Sequence, residues 1–389
     1  MTDLESYPAM QILFNGWFWH HEETGSGQYV RRLTMALARL QPKCEFVVLI
    51  PDEVGDNTPT PCHNLNILSL PVSRHNIAKV WWEQITVPKM ARKLGVDLLH
   101  IPYWASPLKS TVPAVVTVHD LIPLLLPAYR GGFLVRLYTA LVRATATRAA
   151  LLITDSEASR QDIVRHLRVP PRRVRPVHLA VDEVYRPAPA QDDAAVLQGL
   201  GVQPGYVLYL GGFDVRKNVN AIFQAFAQVR HRVDDAHLVI GGKLPQKDTA
   251  FIPDPRQQAR EAGLAETEAQ FVDFVPESAK PALYRGARAF LFPSTYEGFG
   301  LPPLEALSCG TPVIASNTSS LPEVIGDAGV LTSPTDVAGI AYALAKLLTD
   351  DAFYDELHQR ALRQAHRFSW ESVAQMTFEA YHATMIRNS

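Results

Sequence analysis

The sequence predicts an α/β protein of two doubly wound, parallel-sheet domains in series. Short apolar runs alternate with amphipathic helical stretches, the pattern of repeated strand–helix–strand units. The alternation stops once, at residues 185–204, where Pro187, Pro189 and Pro204 stand among Ala, Gln and Asp, and then resumes. The chain, 389 residues long, has room for two such domains.

In the first half the apolar runs fall at 11–14, 45–50, 98–101, 114–118, 151–154 and 173–177, with helical stretches near 27–40, 77–94, 133–148 and 157–167. The second series has runs at 206–210, 236–240, 270–275, 289–292, 312–315 and 330–332, and helices near 217–231, 278–286, 302–308 and 335–348. Two more helical stretches, 351–366 and 370–386, have no strand after them. The expected layout is a first domain at 1–184, a linker at 185–204, a second domain at 205–368, and a terminal helix at 369–389 that returns to the first domain.

Composition narrows the function. A net charge of −2 argues against a general nucleic-acid binder. It hides a split: residues 1–186 hold 21 Lys and Arg against 16 Asp and Glu, and the remainder 16 against 23. Cys44, Cys62 and Cys309 are too few and too scattered for a disulfide framework or a thiolate metal site, and they suit a reducing cytosol. The first ten residues lack a basic stretch and an apolar core, so no secretion signal is expected, and no run is long and apolar enough to span a membrane.

The strongest chemical signal is Pro293-Ser-Thr-Tyr-Glu-Gly-Phe-Gly-Leu-Pro-Pro-Leu-Glu-Ala306, between an apolar run and a helix opened by Pro302 and Pro303. Proline is tolerated in a first turn because its missing N–H would be unpaired there. Gly298 and Gly300 leave backbone N–H groups at the helix start, where the helix dipole also favours an anion. Glu297 and Glu305 flank that site and suit paired sugar hydroxyls. A phosphate with a hydroxyl-bearing group on either side, a nucleotide-sugar, is the ligand this arrangement fits. Glu-x₇-Glu alone carries little weight; its setting in a strand, a Gly-rich loop and a Pro-opened helix gives it specificity.

That segment resembles the donor-site signature of retaining glycosyltransferases of the GT-B fold, glycosyltransferase family 4, and further motifs extend the resemblance over nearly the whole chain. Tyr206-Val-Leu-Tyr-Leu-Gly211-Gly212 with Arg216-Lys217-Asn218 resembles the family's first donor-domain strand and phosphate-binding basic pair. Residues 270–275 followed by Pro276 resemble the segment whose backbone, at Val275, meets the base. Cys309-Gly-Thr-Pro-Val-Ile-Ala315 and Leu321-Pro-Glu-Val324 complete the pattern. The resemblance implies that the second domain binds the donor and the first the acceptor, in a cleft that closes on them. It assigns Glu297 to the donor sugar's hydroxyls, Glu305 to the ribose, and the amides of Phe299, Gly300 and Leu301 to phosphate or sugar. Arg216 and Lys217 would neutralise the diphosphate. Cations are unfavourable in a first helical turn, which favours function over a solvated helix start.

In the first domain, Thr24-Gly25-Ser26-Gly27 resembles the family's glycine loop facing the donor; without a third glycine it is a poor dinucleotide fingerprint. His119 matches the family's active-site histidine on the donor sugar, and Asp120 is expected to orient the imidazole or the acceptor. Asp155-Ser156-Glu157 reads as a helix opening, with Ser156 as N-cap.

The implied reaction transfers a hexose from a GDP-, UDP- or dTDP-sugar to a glycan or lipid-linked acceptor with retention, the leaving phosphate taking the acceptor proton. No Asp-x-Asp occurs, so metal independence is expected and no cofactor is required. Residues 121–154 hold Arg130, Arg136, Arg143 and Arg148 and no acid, with Tyr129, Phe133 and Tyr138 among them. Lys79, Trp81, Trp82, Lys89, Arg92 and Lys93 lie upstream. Such a surface suits an anionic membrane or a lipid diphosphate, and a solvated arginine face explains it as well. The expected setting is cytoplasmic, peripheral at the inner membrane face. The motifs look most like bacterial mannosyl- or rhamnosyl-transferases of surface polysaccharide assembly. Rival readings are a phosphorylase or epimerase of the same fold, a non-catalytic nucleotide-sugar binder, and an NAD-dependent oxidoreductase.

Overall fold

A computed structural model describes residues 8–21, 24–51, 62–72, 75–104, 106–190, 192–233 and 236–388. It divides into two compact units, Met1–Leu179 with Ser369–Ser389, and Ala180–Phe368.

The first unit carries a parallel sheet of β1 (Gln11–Asn15), β2 (Glu45–Pro51), β3 (Leu65–Leu70), β4 (Leu98–Ile101), β5 (Ala114–Thr117), β6 (Leu151–Thr154) and β7 (Val174–Pro176). Its order is β3-β2-β1-β4-β5-β6-β7. The residues of β4, β5 and β6 are all buried, as expected of parallel strands covered on both faces. The helix Gly25–Leu40 starts at an N-cap, Thr24, whose hydroxyl accepts the Gly27 N–H. It buries Val30, Leu33, Thr34 and Leu37, one stripe at helical spacing. The terminal helix Trp370–Asn388 packs along it, and Tyr381 and Phe378 are fully buried there. The sequence reading passed over β3, an edge strand that is half-exposed beyond its first residue and so lacks a continuous apolar run.

The second unit repeats the architecture with β8 (Tyr206–Leu210), β9 (Leu238–Gly241), β10 (Ala269–Val272), β11 (Ala287–Phe292), β12 (Val313–Ser316) and β13 (Gly329–Thr332). Its order is β10-β9-β8-β11-β12-β13, again parallel. Residues 185–204 are not a detached linker. Tyr185, Leu197 and Val202 sit in this unit's core, and Asp193, on the helix Asp193–Gly199, pairs with Arg285 at 2.5 Å. Three prolines resemble a linker in sequence, yet their apolar neighbours have a face to bury.

Candidate functional site

In an open parallel sheet, ligands bind beyond the carboxyl ends of the strands, where the strand order reverses. In the second unit that point lies between β8 and β11, and the connections leaving these two strands carry the donor-site residues expected from sequence.

After β8 the chain passes Gly211 and Gly212 and enters a short turn, Val215–Lys217. Asn218 follows at φ 52°, and its amide donates to the carbonyls of Pro293 and Pro334. The turn is therefore tied to the loop after β11: Thr295 N–H donates to the Arg216 carbonyl, and Arg216 Nη1 to the Tyr296 carbonyl. Arg216 Nη1 and Lys217 Nζ both lie 2.7 Å from Glu297 Oε1, which also accepts the Ser294 hydroxyl at 2.7 Å. Asp214 stands 3.5 Å from Arg216 Nε. Burial disfavours the Glu297 carboxylate, but Lys217 and Arg216 together outweigh it and hold the group below the usual range. Sequence reasoning sent Glu297 to the sugar and the cations to the phosphate; the structure joins all three.

The far side of the loop is held by Ser319 and Ser320. Ser319 Oγ accepts the Glu297 N–H, and Ser320 Oγ donates to the carbonyls of Glu297 and Phe299. Gly300, at φ 119°, caps the helix Leu301–Ser308; a β-carbon there would lie 2.9 Å from the Leu321 side chain. Gly298 precedes it, and Phe299 is buried edge-on against Phe368. Leu301 opens the helix. Glu305, one turn in, accepts a hydrogen bond from Tyr284 at 2.8 Å, while the Tyr185 hydroxyl donates to Glu277. Burial raises its pKa, and nearby Lys280 opposes the rise.

Gly242 was not anticipated. At φ 146° it passes Gly211 so closely that a β-carbon would lie 2.1 Å from the Gly211 carbonyl oxygen. Val275 is buried, and its side chain fills the space beside Gly241.

In the first unit, His119 lies two residues beyond β5. The register pairs Thr117 with Ile153. Continued by two residues, it sets His119 beside Asp155, which follows β6. His119 Nδ1 is 2.8 Å from Asp155 Oδ2, and Nε2 is 3.2 Å from the Pro102 carbonyl. Both nitrogens thus face acceptors, which suits the imidazolium. Burial lowers the histidine pKa, but Asp155, with Asp120 and the Pro102 carbonyl, reverses this and the net shift is upward. Asp155, not Asp120, holds the ring; Asp120 Oδ1 accepts the Ile122 N–H. Strand order supplied this partner, and the sequence signal for it was masked by a good helix N-cap: Ser156 does accept the Ser159 N–H.

Gly27 is required by close approach, since a β-carbon would lie 2.0 Å from the His21 carbonyl oxygen; one on Gly25 would meet open space. At the reversal between β1 and β4, Asn15 receives Trp82 Nε1 at 2.8 Å and donates to Tyr103 at 2.7 Å. Trp82 is fully buried, not part of a surface patch. Lys79 pairs with buried Glu83 and lies over the rings of Phe18, Tyr103 and Tyr138.

Two doubly wound sheets, the second with a cation–carboxylate cluster and a glycine-capped helix at its reversal point, define a GT-B type chain. Residues 197–366 match the family model described as Glycosyl transferases group 1, and residues 24–184 that of Glycosyltransferase Family 4. The O-antigen chain mannosyltransferase B of Escherichia coli is 37% identical over 273 residues, covering 69% of this chain and 70% of that protein. The serotype-specific mannosyltransferase WbdA of the same species is 33% identical over 273 residues, but the match spans only 33% of its length. Among solved structures, sucrose-phosphate synthase from Thermosynechococcus elongatus aligns with TM-score 0.73 and 21% identity, over 98% of this chain and 100% of that one. Anabaena Alr3699/HepE in complex with UDP-glucose aligns with TM-score 0.70 and 19% identity, over 96% and 100%. The chain belongs to glycosyltransferase family 4, the group 1 glycosyl transferases, and is a glycosyltransferase.

Proposed function

We propose that this protein transfers a hexose of mannosyl type from a nucleoside diphosphate sugar to a glycan or lipid-linked acceptor, with retention and without a metal ion. The observation that carries the reading is the cluster of Arg216, Lys217 and Glu297 at the β8/β11 reversal, beside the amides at the start of helix Leu301–Ser308. In this reading the bond from the anomeric carbon to the diphosphate oxygen breaks with oxocarbenium character. The acceptor oxygen bonds to that carbon on the same face, and its proton passes to the departing phosphate. Arg216, Lys217 and the helix amides stabilise the charge that builds on the diphosphate. Glu305 takes the ribose hydroxyls and Val275 the base through its backbone, while His119, fixed by Asp155, serves the donor sugar. The likeness to the O-antigen mannosyltransferase supports the mannosyl assignment.

The reading includes a peripheral contact with an anionic membrane. Phe133, Leu134 and Leu137 are exposed on the helix Phe133–Ala146, which also carries Arg136 and Arg143 and no acid. Among the described residues, no helix is long and apolar enough to cross a bilayer.

The test is release of nucleoside diphosphate from GDP-mannose, UDP-glucose and dTDP-rhamnose, with and without EDTA, and NMR of the new anomeric centre. Turnover of GDP-mannose in EDTA with retained configuration is expected. No turnover of any donor, unchanged by Lys217→Ala, would sink the reading.

A further inference from the structure

The edge of the first sheet opposite His119 holds a basin of about 1280 Å³. Its wall comes from the amino ends of three neighbouring strands: Pro113 and Ala114 at β5, Ala149 and Ala150 before β6, and Arg172 and Arg173 before β7. The helix Val87–Leu94 and the loop 106–112 close the sides. Among the described residues, six cationic side chains line it, Lys89, Arg92, Lys109, Arg148, Arg172 and Arg173, and no Asp or Glu does.

A structural explanation covers part of this. Two helices end at the basin, and cations favour a helix carboxyl end. That accounts for Arg92, in the last turn of Val87–Leu94, and for Arg148, just past Phe133–Ala146. It does not account for Lys109, which lies in a non-helical connection. Two of the arginines are also held in place. Arg173 donates to the Thr147 and Ala149 carbonyls, and Arg148 to the Leu108 carbonyl. These acceptors fix the guanidinium planes without neutralising them. Burial first, and then the neighbouring Arg172 charge, push the Arg173 pKa down. Crowding like charges costs stability unless a ligand of opposite sign repays it.

We propose that this basin is a second anion site, which takes a phosphoryl-bearing ligand on the edge of the first unit away from His119. Fixed guanidinium forks match phosphate oxygens bidentately, and flanking lysines add charge that tolerates several ligand geometries. The phosphoryl group comes from an anionic lipid headgroup or from a soluble phosphorylated molecule. The site goes beyond the transferase reading and does not depend on it.

The experiment uses the full chain, with inorganic pyrophosphate in calorimetry and phosphatidylcholine vesicles with and without phosphatidylglycerol in sedimentation. Lys109→Glu/Arg172→Glu reverses two exposed charges of the basin. Arg232→Glu/Arg363→Glu reverses two exposed charges of the second unit as control. The basin variant is expected to weaken pyrophosphate or anionic-vesicle binding by about tenfold or more, as for lost charge-assisted hydrogen bonds. The control should bind as wild type, and donor turnover should be unchanged in both. Pyrophosphate displacing the protein from anionic vesicles assigns the site to headgroups. Pyrophosphate binding without vesicle binding assigns it to a soluble ligand. If neither probe binds, or if binding is the same in the basin variant as in wild type, the proposal is overturned. Lys217→Ala separates the two sites, since pyrophosphate lost in that variant alone belongs to the donor side.

Discussion

Nζ of Lys217 lies 2.7 Å from Oε1 of Glu297, a residue 80 positions further along the chain. The bond closes the β8/β11 reversal with one cation and one carboxylate. An ammonium has three N–H donors, more than this bond uses. In the proposed reaction a diphosphate can therefore be received without Lys217 first leaving Glu297, and the carboxylate is the group that orients this cation.

Glu297→Gln separates these roles. The amide keeps the shape but leaves Arg216 and Lys217 without their shared anion. Nucleoside diphosphate should bind more tightly, because one negative charge that offsets the cations is gone. Transfer should fall, by about 100-fold in kcat if the loss resembles that of one preorganised transition-state contact. Lys217→Ala should do the reverse on binding and weaken nucleoside diphosphate by about tenfold, the scale of one charge-assisted hydrogen bond. Calorimetry with GDP and steady-state turnover measure both. Weaker GDP binding by Glu297→Gln would show that the carboxylate does not compete with the ligand.

His119 should titrate above its ordinary 6.5, because Asp155, aided by Asp120 and the Pro102 carbonyl, outweighs the burial that acts against the charged ring. A raised folded pKa means stability that is fully present below 6.5 and lost as pH rises through the folded value. Asp155→Asn removes the charge but keeps an acceptor, so the His119 pKa should fall relative to wild type, with only Asp120 and the Pro102 carbonyl left to oppose burial. Imidazole NMR titration of both proteins is the measurement. A wild-type value at or below 6.5 would contradict the imidazolium assignment.

The pairing of His119 with Asp155 shows where the sequence runs out. Each residue was visible as the end of an apolar run, so the carboxyl edge of the sheet could be found. That β5 and β6 are neighbours in register is a property of strand order, which no local pattern encodes. Glu297 was legible because glycines and prolines mark its loop; its bond to Lys217 was not, since 80 residues separate them. The prolines near residue 187 misled because proline disfavours helix interiors and central strands without forbidding burial of its neighbours.

Gly300→Ala should damage the donor loop. At φ 119° an L-residue is strained, and the new methyl would press on Leu321 at 2.9 Å. The backbone term alone is about 1–3 kcal/mol. If the loop relaxes, the amides of residues 299–301 move off the phosphate, and Kd for GDP should rise with little loss of global stability. If it does not, the melting temperature should drop instead. Unchanged values of both would remove Gly300 from the site.

The terminal helix is fastened to the first sheet by a histidine that must stay neutral. His100 is fully buried, with Nδ1 2.5 Å from the Tyr381 hydroxyl and Nε2 2.9 Å from Thr117 Oγ1. Hydroxyls donate or accept, so one neutral tautomer satisfies both contacts. Burial, and secondarily the charge of His119, depress the His100 pKa to about 3. Between about 3 and 6.5 the unfolded chain therefore binds a proton here that the folded one refuses, and stability falls as pH drops through that window. His119 does not compensate, because below 6.5 it is protonated in both states. Buried carboxyls with raised pKa, such as Asp155 and Glu83, act in the opposite direction and partly offset the loss. The His100 contribution is thus read as a difference between variants. His100→Gln keeps a donor and an acceptor and cannot titrate, so the fall in first-unit stability from pH 7 to pH 5, followed by urea unfolding, should be smaller than in wild type. Tyr381→Phe should cost about 1 kcal/mol at pH 7, the net worth of one hydrogen bond, and leave the acid dependence in place. An identical pH dependence in wild type and His100→Gln would mean that His100 is not the acid-sensitive fastening of this helix.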